Sequence, residues 1–146
     1  MIKKCFIPFL TLVIFTIYGC TTSRINLSKS GTVKLEKTAS EKVFIPWADA
    51  YKDGNDLLVT GVVERRHQST GLLKAHIDVT ILSVEGTILQ EGHTKAIYVP
   101  GRRVGKGVNW ERFRLRFPGI PPQEAKIKMV VEPGEHVEEL PGKVGL

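Results

Sequence analysis

The chain has 146 residues and a formal net charge of +6, with 42% hydrophobic and 25% charged residues. This length fits one domain with its own packed core, and it argues against a second domain. The chain has two cysteines, Cys5 and Cys20, and both lie near the N-terminus. The remaining sequence therefore offers neither a disulfide nor thiol chemistry.

The N-terminal segment has the pattern of an export signal. Lys3 and Lys4 form a basic start, and an apolar run follows over residues 5–18. This run is shorter than the ~20 residues that a membrane-spanning helix needs. We therefore interpret it as the hydrophobic region of a signal peptide.

The end of this segment, Ile17-Tyr18-Gly19-Cys20, resembles the lipobox of bacterial lipoproteins. The resemblance implies cleavage before Cys20 and attachment of a diacylglycerol to its sulfur, with palmitate as a typical acyl chain. Tyr18 departs from the family, which usually has a small residue at that position. Two or more acyl chains would anchor the protein stably in the cell membrane. Thr21 after the cysteine implies the periplasmic face of the outer membrane in a bacterium with two membranes.

The sequence predicts four segments. Residues 1–19 are the signal peptide, residues 20–32 the lipidated cysteine and a flexible tether, residues 33–132 a β-sandwich domain, and residues 133–146 a flexible acidic tail. The tether is polar with no sustained hydrophobic period, and the tail is rich in glycine and proline. Without residues 1–19, 127 of the 146 residues remain, and without Lys3 and Lys4 the charge of +6 falls to +4.

The domain shows short runs that alternate between apolar and polar residues, and it has no apolar stripe of helical period. Pro46 favours an edge or kinked strand, Gly61 a bulge or bend, and Gly86 a hairpin turn in which it supplies the positive φ. Strands are predicted, in chain order, at residues 33–37, 43–51, 57–65, 74–82, 88–95, 110–117 and 126–131.

This pattern predicts an all-β fold, a single antiparallel immunoglobulin-like β-sandwich of about seven strands. The order of strong strands is similar to that of immunoglobulin-like and fibronectin type III-like bacterial extracellular modules. The likeness is architectural, because the paired cysteines and the tyrosine corner of antibody domains are missing from the sequence. A small up-and-down or partly open barrel is the alternative fold.

The strand near residue 113 predicts a binding face. Its alternation places Trp110, Arg112, Arg114 and Arg116 on one side. Exposed Trp with Arg is typical of interface anchors, and it suits a carboxylate-bearing partner or a sugar. The alternative is a bulge before Phe113, which would turn Trp110 into the core.

Three adjacent guanidinium groups repel one another, so a neighbouring strand is expected to supply acidic side chains. The candidates are Glu64, Asp78 and Glu91.

A basic glycine-rich loop over residues 101–107 is a second candidate for partner binding. Arg102, Arg103 and Lys106 could attract lipid phosphates, an anionic glycan or an acidic protein surface. The spacing does not match a nucleotide-binding P-loop, because Gly101 and Lys106 are one residue too close. The alternative is a solvated turn.

Two histidines are weak candidates for binding copper or zinc. A four-residue hairpin turn would place His93 opposite His76, near Asp78, whereas a three-residue turn would place His93 opposite Ile77. The pattern lacks the closed ligand spacing of known metal sites, so no metal and no cofactor is predicted.

The sequence predicts a non-enzymatic function. No nucleophile motif accompanies the histidines or the carboxylates. Export and the lack of a recognised motif argue against binding to nucleic acid. We expect an envelope interaction or assembly module whose partner is another envelope protein or an anionic envelope component. The alternative is a lipoprotein that carries a ligand or a metal.

Overall fold

The structure is a computed structural model that describes residues 24–66, 71–101 and 109–134. Within these ranges all regular structure is β, in nine strands: β1 (Ile25–Asn26), β2 (Val33–Thr38), β3 (Val43–Asp53), β4 (Asp56–Arg65), β5 (Leu72–Leu82), β6 (Ile88–His93), β7 (Ile97–Pro100), β8 (Trp110–Pro118) and β9 (Ala125–Pro133). These ranges contain no helix that is long and apolar enough to cross a membrane. Cys20, Arg102, Arg103, Lys106 and tail residues 135–146 lie outside them.

The strands form two sheets. Sheet A has the order β1-β3-β4-β8, and sheet B has the order β2-β9-β5-β6, with β7 paired to β5 on the same side as β6. The predicted all-β fold is confirmed. The strand count is nine because β1 and the short β7 were not predicted. One pair, β2 with β9, is parallel, which differs from the expected antiparallel arrangement.

A single hydrophobic core lies between the sheets. Sheet A contributes Leu57, Val59 and Val63 from β4, and sheet B contributes alternate residues of β5. The β5 residues are Ala75, Ile77, Val79 and Ile81, as the sequence predicts, and none is more than 1% exposed. Burying each larger aliphatic side chain stabilises the fold by about 1.5–3 kcal/mol.

Residues 24–32, the described part of the predicted tether, are held against the domain. Ile25 and Asn26 pair with β3, and Leu27 is buried in the core with 5% exposure. The Ser28 hydroxyl donates a hydrogen bond to Asp49 Oδ1 at 3.0 Å. The buried Leu27 side chain and a few hydrogen bonds hold this polar stretch in place. Because neither feature produces a hydrophobic period, the sequence pattern did not indicate this structure.

Two special residues of sheet A have different roles. Pro46 lies at an irregularity between Phe44 and Trp47 where the β3–β4 register shifts, so the predicted kink is confirmed. The predicted bulge at Gly61 is wrong, because Gly61 pairs in regular register with Phe113. A Cβ atom at Gly61 would lie 2.6 Å from Phe113 Cε1 and 2.6 Å from the Trp47 carbonyl oxygen. Glycine is therefore needed there because of close packing.

Replacing Gly61 by alanine is expected to lower the free energy of unfolding by about 1–3 kcal/mol, the usual cost of overpacking. Gly92→Ala is the matched comparison, because a Cβ there would meet only the Phe117 ring, at 2.8 Å. Chemical denaturation of double variants distinguishes a clash with an aromatic ring alone, at residue 92, from a clash with a ring and a backbone carbonyl, at residue 61. Phe117→Leu should offset Gly92→Ala, whereas Phe113→Leu should offset Gly61→Ala only partly, since the Trp47 carbonyl stays in place. Equal compensation at both sites would contradict this explanation.

Candidate functional site

The side of sheet A that faces away from the core carries a shallow groove of about 650 Å³. We call it the outer groove and define it by Trp47 and Tyr51 of β3, Thr60 and Val62 of β4, and Arg112 and Arg114 of β8. Val62 pairs with both Trp47 and Arg112. The outer strands present long side chains, and the middle strand presents the shorter side chains of Thr60 and Val62 next to the buried Leu58. The result is a channel that follows β4.

Strand β8 holds the predicted row of side chains on one face. It pairs with β4 from Trp110 to Phe117 without an irregularity. Phe113 and Phe117 are buried, whereas Arg112, Arg114 and Arg116 are exposed. Trp110 is half-buried and lies opposite Glu64. The regular pairing keeps Trp110 on the arginine face, so no bulge turns it into the core.

The three arginines differ in their partners. Arg116 Nη2 lies 2.6 Å from Asp53 Oδ2, and Arg116 Nη1 lies 3.2 Å from Asp56 Oδ2. The Arg112 guanidinium lies 5.6 Å from the centre of the Trp110 ring, a cation–π distance. Within the described ranges, neither Arg112 nor Arg114 has a carboxylate oxygen within 4 Å of its guanidinium. Two positive charges of the row are therefore not neutralised by this part of the chain.

The acids that neutralise Arg116 are not the expected ones. Asp53 and Asp56 flank the β3–β4 turn, close to the end of β8. Glu64 instead accepts a hydrogen bond from Asn109 Nδ2 at 2.9 Å. The other two expected acids, Asp78 and Glu91, lie in sheet B. Alternation fixes the face of a side chain but not which strand lies beside it.

Trp47 is the groove residue that sequence reasoning missed. It is 46% exposed, a large fraction for a tryptophan. Its face was hidden by the irregularity at Pro46, which shifts the alternation of β3. One sequence signal could have placed Trp47 on the outer face. Trp47, Asp49 and Tyr51 occupy alternate positions after the proline. The chain has two tryptophans, Trp47 and Trp110, and both lie on this outer face.

A buried carboxylate supports the β3 wall of the groove. Asp49 is 6% exposed, and it accepts hydrogen bonds from Ser28 Oγ at 3.0 Å and from the Tyr51 hydroxyl at 3.1 Å. Burial, followed by the hydrogen bond to Asp49, raises the pKa of Tyr51. Tyr51 therefore stays a neutral phenol, and its ring is held in one orientation.

An ion-pair network closes one end of the outer face. Asp53 bridges two cations, since Oδ2 contacts Arg116 and Oδ1 lies 3.4 Å from Arg24 Nε. The hydrogen bond from Arg116, with the charge of Arg24 adding to it, lowers the pKa of Asp53 below its ordinary value of 3.8. The network links the β1 end of sheet A to β8.

The lowered pKa of Asp53 predicts a specific acid dependence of stability. The ionised carboxylate stabilises the fold fully above pH 3.8, and this contribution is lost as the pH falls through the lowered value. We expect wild type to be more stable than Asp53→Asn at neutral pH. The difference in their unfolding free energies, measured by denaturant titration at a series of pH values, should shrink below pH 3.8. A difference that stays constant to pH 2 would contradict the assignment.

The predicted histidines lie on the outer side of sheet B. His76 is 5% exposed; its Nδ1 lies 3.1 Å from the Gly134 carbonyl oxygen, and its Nε2 lies 3.5 Å from Asp78 Oδ2. His93 pairs with Asp78, so both expected registers are wrong. Near the turn, the pair Leu82 with Ile88 matches the three-residue turn, but an irregularity between Ile81 and Leu82 then shifts the pairing by one residue. The predicted positive φ at Gly86 is confirmed at 88°.

The structure does not gather these side chains into a metal site. In the described part of the chain, no three or more His, Cys, Asp or Glu residues are grouped so that they could hold a metal ion. His76 and His93 stay weak candidates for metal binding, the alternative that the sequence left open.

Comparisons of the chain with protein-family models, curated proteins and solved structures found no match. What the outer groove can bind follows from its own residues. It offers an exposed indole, a second aromatic ring and two guanidinium groups that lack described carboxylate partners. Such a set favours a ligand that combines negative charge with a flat apolar surface.

Proposed function

We propose that the protein is a membrane-anchored envelope lipoprotein that acts as a non-enzymatic interaction or assembly module. Its partner is an anionic component of the envelope, bound at the outer groove. The observation that carries this proposal is the pair Arg112 and Arg114. Two neighbouring cations cost electrostatic energy in the free protein, and an anionic partner would relieve it.

The surroundings of the two arginines support the proposal. Exposed Trp47 lies across the groove from Arg112, with Val62 between them. Tryptophan and arginine are the residues most often responsible for binding energy at interfaces.

The domain is proposed to be an immunoglobulin-like sandwich. Supporting this are the two sheets that share one core, and the N-terminal segment, which pairs with sheet A at β1 and with sheet B at β2. The anchor is proposed to be Cys20, on the basis of the lipobox resemblance. Thr21 supports the outer membrane as the location in a bacterium with two membranes.

Reversing charge in the outer groove should abolish partner binding. We expect in-cell crosslinking with affinity purification to enrich one envelope component with wild type and to lose it with Arg112→Glu/Arg114→Glu. Arg116 is left unchanged because its ion pairs contribute to the fold. Lys34→Glu/Lys128→Glu is the matched control, since it makes the same charge change at exposed positions of sheet B. Equal recovery from all three proteins, each shown to be folded, would refute the proposed interface.

The anchor is tested separately. Cys20→Ser should prevent acylation and lipoprotein-type cleavage, so the shortened, lipidated mature form should be missing. Mass spectrometry of the mature protein measures both modifications. A mature mass that differs from wild type only by the cysteine-to-serine change would refute the lipoprotein assignment.

A further inference from the structure

We infer that the outer groove binds an acidic saccharide, a chain of sugar rings that carry carboxylates. This inference rests on the proposed function as an envelope binding module and names the class of its ligand. Three features of the groove support it. The floor has no free backbone groups, the walls carry aromatic and guanidinium groups, and the walls are about 10 Å apart at the backbone.

The floor of the groove offers no backbone for a ligand to pair with. Strand β4 pairs with β3 along one side and with β8 along the other, so its amide and carbonyl groups are used within sheet A. A peptide that binds as an added strand needs free backbone groups at a sheet edge. A ligand that lies in the groove must therefore be held by side chains, which argues against an extended peptide.

The walls offer the two kinds of contact that an acidic sugar needs. The flat face of a sugar ring carries C–H groups, which pack well on an exposed indole such as Trp47. Guanidinium groups bind carboxylates through two parallel hydrogen bonds. Arg112 and Arg114 lie two positions apart on one strand, so their Cα atoms are about 7 Å apart. Both arginines can therefore reach one short stretch of an extended chain.

The width of the groove selects the shape of the ligand. Its walls stand on β3 and β8, two strand spacings or about 10 Å apart at the backbone. Side chains occupy part of that width, so a helix of 10–12 Å diameter does not fit between them. A single row of sugar rings is narrower and can lie along β4, over Thr60 and Val62.

The charge of the groove favours an anion. Arg112 and Arg114 have no described carboxylate within 4 Å of their guanidinium groups, and both line the groove. The nearest acid on the β3 wall, Asp49, is 6% exposed and is hydrogen-bonded through both oxygens. Its charge is thus shielded from a ligand more than those of the arginines are.

Titration with uronic-acid oligomers tests the inference. Full-length protein in detergent micelles is titrated with tetramers of galacturonate and of mannuronate, and intrinsic fluorescence is recorded. Both tryptophans lie on the outer face of sheet A, so the signal reports on that face. We expect saturable binding to at least one tetramer. Methyl esterification of its carboxylates should weaken binding tenfold or more.

Variants assign the binding to the groove. Arg114→Gln should weaken binding about tenfold, and Trp47→Ala should weaken it to a similar extent, with calorimetry used for the second variant because it removes a fluorophore. Lys128→Gln, on the opposite sheet, should bind as wild type does. All variants should keep the wild-type melting temperature within a few degrees, because the replaced side chains are exposed.

Some outcomes would overturn the saccharide assignment alone, and others would also overturn the proposed function. Equal binding of tetraglutamate would overturn the saccharide assignment, since negative charge alone would then suffice. Failure of both tetramers to bind would also overturn it. If crosslinking still recovers a component that Arg112→Glu/Arg114→Glu loses, the proposed function stands and only the ligand class is wrong. If neither experiment shows binding, both proposals fail.

Discussion

The pairing of β4 with its two neighbours determines both faces of sheet A. The register places Leu57, Val59 and Val63 in the core, and it places Thr60 and Val62 on the floor of the outer groove. Because side chains alternate along a strand, a slip of one residue would exchange the two sets. Gly61 helps to fix the register, since Phe113 lies where any side chain at that position would be. Core packing and groove shape therefore depend on the same pairing.

The charged residues of sheet A form two groups: those in the Asp53 ion-pair network, and the two arginines without described carboxylate partners. The Asp53 network uses Arg116 and Arg24, and it links strands at one end of the sheet. Single exposed ion pairs contribute about 0–1 kcal/mol, so the network's main effect is to hold side chains in place. Arg112 and Arg114 are left without described carboxylate partners, next to an exposed tryptophan.

Alternation within single strands could be predicted from the sequence, but relations between strands could not. The inward residues of β5 and the two faces of β8 follow from period-two patterns. The register of His93, the acids beside Arg116 and the face of Trp47 depend on irregularities or on which strands become neighbours. An irregularity shifts the pattern by one residue. Pro46 marks the one in β3 without giving the size of the shift, and no such residue marks the one at Ile81 and Leu82. The polar stretch at Ser28 was missed for a related reason, because its hydrogen bonds to β3 are long-range.

The position of β1 would limit how far the domain reaches from a lipid anchor at Cys20. With Cys20 acylated, as proposed, Ile25 is five residues from the lipid, and a fully extended chain of that length spans at most about 18 Å. The domain would therefore search only a thin layer of solvent along the bilayer. A binding partner anchored in the same leaflet, or an acidic chain that reaches this layer, would meet the groove at a high local concentration. A component that stays deeper in the aqueous compartment would rarely meet it.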